Sequence, residues 1–200
     1  MGNSQTPSNF NSVPDNEFTP VAVFLKKMGI NLVLIGFQDL IEARNLQEFV
    51  YHRHILIPKY TPEARKDITK KLSDRISDTV SNLLLALITK GITVIVNTHE
   101  SNLNGEVIDE KETGRSGYLF EGKPLVDNVF IMHYGAELAK FIQVQEATDA
   151  IKALKLVAKS HKLKYPEILV IHHNPEVVNL ARKLRASAIL VDDHKLGFRV

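Results

Sequence analysis

Gly29-Ile30-Asn31-Leu32-Val33-Leu34-Ile35-Gly36-Phe37-Gln38-Asp39-Leu40-Ile41 is the stretch from which the rest of the chain can be placed. Asn31 to Ile35 is short and apolar and reads as a buried strand. Gly36 breaks it into a loop, and Asp39 to Phe49 (DLIEARNLQEF) reads as a short helix. A buried strand that turns into a helix is the unit of a parallel α/β sheet, in which ligands bind where strands end.

Working outward, the same unit recurs. Val21 to Lys27 (VAVFLKK) is an apolar lead into the first strand, and His52 to Ile57 (HRHILI) reads as a short extended piece. Thr61-Pro62-Glu63 offers a hydroxyl cap, a proline at the first helical position and an acid in the first turn. From there Ala64, Ile68, Leu72, Ile76, Val80, Leu83, Leu84, Leu87 and Ile88 recur every three or four residues, which predicts one long helix up to Gly91. Ile92 to Asn97 (ITVIVN) is a second strand, and Glu100 to Lys123 is a loop-rich excursion with room for a short helix or hairpin. Asn128 to His133 (NVFIMH) reads as a third strand, Gln145 to Lys162 as a helix, and Glu167 to Ile171 (EILVI) as a fourth strand. Asn174-Pro175-Glu176 starts another capped helix through Leu184, and Ser187 to Val191 (SAILV) is a fifth strand. Strands rich in Val, Ile and Leu that alternate with helices predict a doubly wound, five-stranded parallel sheet.

Composition narrows the function. Lys and Arg number 25 against 23 Asp and Glu, so no single-sign field draws the chain to nucleic acid or an acidic membrane. No basic patch is interleaved with aromatics as single-strand nucleic-acid binding requires. The absence of Cys excludes disulfides, thiolate catalysis and cysteine-ligated metals, which accords with an intracellular compartment. No run nears the roughly 20 apolar residues of a membrane span, and a soluble protein is expected. Residues 1–20, rich in Asn, Ser, Pro and Thr, read as a disordered tail ahead of a single domain over 21–200. Met1-Gly2-Asn3-Ser4-Gln5-Thr6 fits the myristoylation pattern with Gly2 as acceptor. Such a chain would give only peripheral membrane contact.

The order of pieces from Asn31 to Gly197 resembles the haloacid dehalogenase-like (HAD) phosphatases, a Rossmannoid fold, here with a small cap or none. The resemblance implies a first strand ending in Asp-x-Asp-x-Thr, whose first Asp is the nucleophile and whose second is the acid/base. It further implies a hydroxyl at the end of the second strand, a Lys ahead of the fourth, and Gly-Asp plus another acid after the fourth to hold magnesium. In this sequence Gly36 stands at the nucleophile and Gln38 at the acid/base. Thr98 keeps the hydroxyl and Lys152 can take the place of the Lys, but His172-His173 replace Gly-Asp and Val177 takes the second-acid position. Glycine has no side chain, glutamine is a poor acid/base and imidazole is a poor magnesium ligand. The expectation is therefore a noncatalytic member of the fold that serves as an interaction or structural subunit with a protein partner and no cofactor.

Two alternatives stand beside it. A divergent hydrolase would use Asp39, one residue beyond the acid/base position, or a metal held by His99, His172 and His173; magnesium enters only in that case. A phosphate-ligand sensor would bind through Thr98 and Lys152. Asp39 also suits a cap on the helix that follows it, and adjacent His172 and His173 are expected to point in different directions. His133, with Tyr134, and Asp192, Asp193 and His194 are further groups expected at strand ends.

Overall fold

Short apolar segments that cannot leave backbone groups unpaired in a core solve the problem by pairing with one another. The computed structural model describes residues 14–41, 62–98, 107–108, 117–118, 122–147 and 149–191. In chain order its elements are α1 (Thr19–Lys27), β1 (Leu32–Gly36), α2 (Phe37–Leu40), α3 (Pro62–Ser73), α4 (Asp78–Thr89), β2 (Thr93–Asn97), β3 (Val107–Ile108) and β4 (Gly117–Tyr118). There follow α5 (Gly122–Tyr134), α6 (Ala136–Ala139), β5 (Ile142–Gln145), α7 (Ala150–His161), a 3-10 turn at Tyr165–Glu167, β6 (Ile168–His172), α8 (Pro175–Lys183) and β7 (Ser187–Leu190).

Five strands form one parallel sheet in the order β5-β2-β1-β6-β7, while β3 and β4 pair antiparallel on their own. β1 is central, with Leu32 to Gly36 opposite Thr93 to Asn97 on one side and Leu32 to Ile35 opposite Ile168 to Ile171 on the other. Alternation along the strands divides the core between two faces. Val33, Ile35, Val94, Val96, Leu169 and Ile171 pack with Ala22 of α1, Leu84 and Leu87 of α4 and Phe130 of α5. Leu32, Leu34, Ile95, Ile168 and Val170 pack with Ala153, Leu154 and Val157 of α7 and Ala181 of α8. Helices on both faces make the sheet doubly wound, as the sequence predicts. The chain moves from β1 outward to β2 and β5, then returns to β6 and β7, so the direction of winding reverses between β1 and β6.

Four local readings change. Residues 21–27 are helical: Ala22 of α1 is fully buried, and the chain is attached ahead of it, with Asn16 Nδ2 donating to the Asn82 carbonyl at 2.8 Å. The single long helix is two. Ser77 caps α4 by accepting from the Val80 amide at 3.3 Å, and Ile76 makes an isolated antiparallel bridge with Ile41. The expected third strand at 128–133 lies inside α5, where Leu125, Val126, Val129 and Phe130 face the core while Ile131 and Met132 are exposed. A short apolar run fits a helix face as well as a strand, and the tertiary setting decided for the helix. The true third strand, Ile142-Gln143-Val144-Gln145, is a sheet edge whose Gln143 faces solvent, which conceals it among polar neighbours.

The predicted helix after Gly36 is seen as one turn, Phe37–Leu40; residues 42–49 and the extended piece at 52–57 lie outside the described residues. So do Gly2, His99, Asp192, Asp193 and His194. Among the described residues no helix is long and apolar enough to cross a membrane.

Candidate functional site

The β1–α2 and β6–α8 junctions meet where the winding reverses, the usual ligand crevice of an open parallel sheet. β1 ends at Gly36 in ordinary extended geometry, with φ −69° and ψ 140°. Phe37 then turns into the core, edge-on to Phe130 with ring centroids 6.2 Å apart, and fixes the single turn of α2. With Phe37 anchored inward, Asp39 comes back over the end of its own strand.

Asp39 is buried, and its Oδ1 accepts two hydrogen bonds from one residue, the His173 backbone N–H at 3.0 Å and the His173 ring at Nδ1, 2.7 Å away. Among the described residues Oδ2 is buried with no hydrogen-bond partner. It lies directly above Gly36: a Cβ placed on that glycine would fall far inside van der Waals contact with Oδ2, 3.4 Å from Asp39 Cγ and 3.8 Å from His172 Cδ2. The acid does not cap α2, as its position suggests; it occupies the room that a side chain at Gly36 would need.

His172 is the last residue of β6 and is buried, and its Nδ1 accepts the Asn174 amide at 3.0 Å. The expected divergence of His172 and His173 does not hold, because the pleat stops at His172 and the turn into α8 brings the rings into a stack 4.6 Å apart and 23° from parallel. A backbone amide can only donate, so the neutral His172 ring carries its proton on Nε2. A carboxylate only accepts, so His173 carries a proton on Nδ1. Asp39, His172 and His173 thus place an oxygen and two imidazole nitrogens within 4.8 Å of one another.

Thr98 and Lys152, also expected at the site, make local contacts. Thr98 is buried, its amide bonded to the Gln145 carbonyl at 2.9 Å and its hydroxyl directed to the same oxygen at 3.4 Å. Lys152 sits in the first turn of α7, where its amide donates to the N-cap Asp149 at 2.6 Å and its ammonium lies 3.6 Å from the same carboxylate. Gln38 falls within α2. His133 is not at a strand end: it lies on α5, with Nε2 2.7 Å from Ser81 Oγ and Nδ1 3.0 Å from the Ser73 carbonyl, and joins α3, α4 and α5. Tyr134 beside it has a phenol pushed up to about 12 by burial, with the nearby Ser81 hydroxyl acting in the opposite direction.

Two features of the site are not evident from the sequence. One is the Asp39–His173 pairing, between residues 134 positions apart in the chain. The other is Asn97, buried beside Gly36 at the end of β2, its Oδ1 without a hydrogen-bond partner among the described residues. Comparison of the chain with family models, with curated proteins and with solved structures gives no match.

Proposed function

We propose that this chain is a HAD-like domain without aspartyl-phosphate chemistry that acts as an interaction or structural subunit. The strand order supports the HAD-like reading: the Gly36 and His172-His173 motifs fall on adjacent central strands, where the resemblance needs them to face one another. The observation that carries the loss of chemistry is at Gly36. A carboxylate nucleophile is required there, and the space for it is taken by the carboxylate of Asp39. That carboxylate is itself no substitute, because Oδ1 is held by two N–H groups of His173 and Oδ2 is buried against the strand.

The magnesium arrangement is also unsupported by these donors. Magnesium favours an octahedral oxygen shell, and two of the three groups gathered here are imidazoles. The phosphate-sensor reading gains nothing from Thr98, whose hydroxyl is turned to a backbone carbonyl. What persists is a well-packed scaffold, the property an interaction subunit needs. A panel of phosphate monoesters offered with magnesium tests the proposal: no turnover above buffer is expected, and magnesium-dependent turnover abolished by Asp39→Asn would overturn it.

A further inference from the structure

The unpartnered oxygen of Asp39 calls for an explanation that the loss of phosphatase chemistry does not supply. A buried carboxylate oxygen without a donor is costly, and such groups are normally paired, hydrogen-bonded or bound to a cation. The Asp39 side chain is 1% exposed, whereas His173 beside it is 29% exposed, so the cluster is dry at the acid and open on the imidazole side. We propose that Asp39, His172 and His173 bind a divalent cation of the zinc type, which clamps the β1–α2 junction to the β6–α8 junction.

The donor set selects the cation class. One carboxylate and two imidazoles suit borderline ions such as zinc and are poor for magnesium or calcium. Tetrahedral ligands at about 2.0–2.1 Å from zinc lie roughly 3.4 Å apart. The donor atoms here are within 4.8 Å of one another, and His173 Nδ1 is already 2.7 Å from Asp39 Oδ1, so closure is a matter of side-chain rotation. Binding exchanges one bond for another: the Nδ1–H bond from His173 to Asp39 is given up, the ring proton passes through solvent from Nδ1 to Nε2 so that the ring stays neutral, and a metal–nitrogen bond forms at Nδ1. His172 joins through Nδ1 by giving up the Asn174 amide, and that amide turns to water. Water completes the shell. The clamp is independent of whether any ester is hydrolysed, so it stands or falls separately from the noncatalytic reading.

The test uses the full chain, freed of metal and titrated with zinc chloride by calorimetry, with magnesium chloride as the control. One equivalent of zinc is expected, and no binding of magnesium. Asp39→Asn and His173→Ala are each expected to weaken zinc at least tenfold; His173→Ala, at a partly exposed position, keeps the test valid if Asp39→Asn does not fold. Cobalt in place of zinc is expected to give the intense visible absorption of a tetrahedral site, lost in His173→Ala. Failure of the folded wild-type chain to bind zinc overturns the proposal. Stoichiometric binding that both variants leave unchanged overturns it too, since the metal then sits on other residues.

Discussion

Gly36→Ala probes the site with one methyl group. Gly36 has φ −69° and ψ 140°, a conformation that alanine adopts freely, so the substitution brings no backbone strain. By itself the loss of glycine flexibility in the unfolded chain would stabilise by about 0.4–1 kcal/mol. Against this, the new methyl overlaps Asp39 Oδ2, and the carboxylate must retreat by roughly 1 Å to regain a contact of about 3.5 Å. Retreat strains or breaks both hydrogen bonds from His173, each worth about 1.5–3 kcal/mol when made to a charged group. The balance is a destabilisation of about 2–4 kcal/mol, which for a chain of this size lowers Tm by roughly 5–15 °C. Urea unfolding with chelator present measures it. The double variant Gly36→Ala, Asp39→Ala should lose at least ~1 kcal/mol less than the sum of the singles, because the methyl then fills vacated space. A neutral or stabilising Gly36→Ala would refute the placement of the Asp39 carboxylate over the strand end.

Other consequences follow from the packing and the titrating groups. The Tyr134 phenol is raised from 10 to about 12 in the folded chain, so its contribution is present below pH 10 and is lost as pH rises through 12. Denaturant titrations should show wild type losing up to about 2–3 kcal/mol over that window beyond what Tyr134→Phe loses. Phe130→Ala removes a fully buried ring that holds Phe37, and should cost about 3–5 kcal/mol in an equilibrium unfolding curve. Asn174→Ala removes the side-chain acceptor of the Glu176 amide at the start of α8, and about 1 kcal/mol of stability should go with it.

The sheet was legible because its inner strands are buried on both faces: Leu32 to Ile35, Val94 to Val96 and Ile168 to Ile171 are apolar runs too short for a helix, made of Leu, Val and Ile and bounded by polar or turn-forming residues. The capped start of α8 was equally plain, since Asn174-Pro175-Glu176 carries a cap, a preset φ and a first-turn acid together. The edge failed for the complementary reason. Gln143 and Gln145 on β5 carry too little apolar signal, while the apolar run on α5 is a helix face that only the neighbouring helices reveal. The break between α3 and α4 had a local sign in Ser77-Asp78, a cap and an acid, masked by an apolar period that continues across it. At the site, the lack of an acidic side chain at Gly36 and Gln38 could be read directly. The use of Asp39 could not, because its partner is a histidine that only the folding of β6 beside β1 brings near.

The proposed function requires that no carboxylate in this crevice form a phosphoryl intermediate. It is tested most directly by incubating the chain with magnesium and a small phosphoryl donor such as acetyl phosphate, quenching in acid, and measuring intact mass. An unchanged mass is the expected result. A phosphoryl adduct that maps to Asp39 and disappears in Asp39→Asn would overturn the noncatalytic proposal.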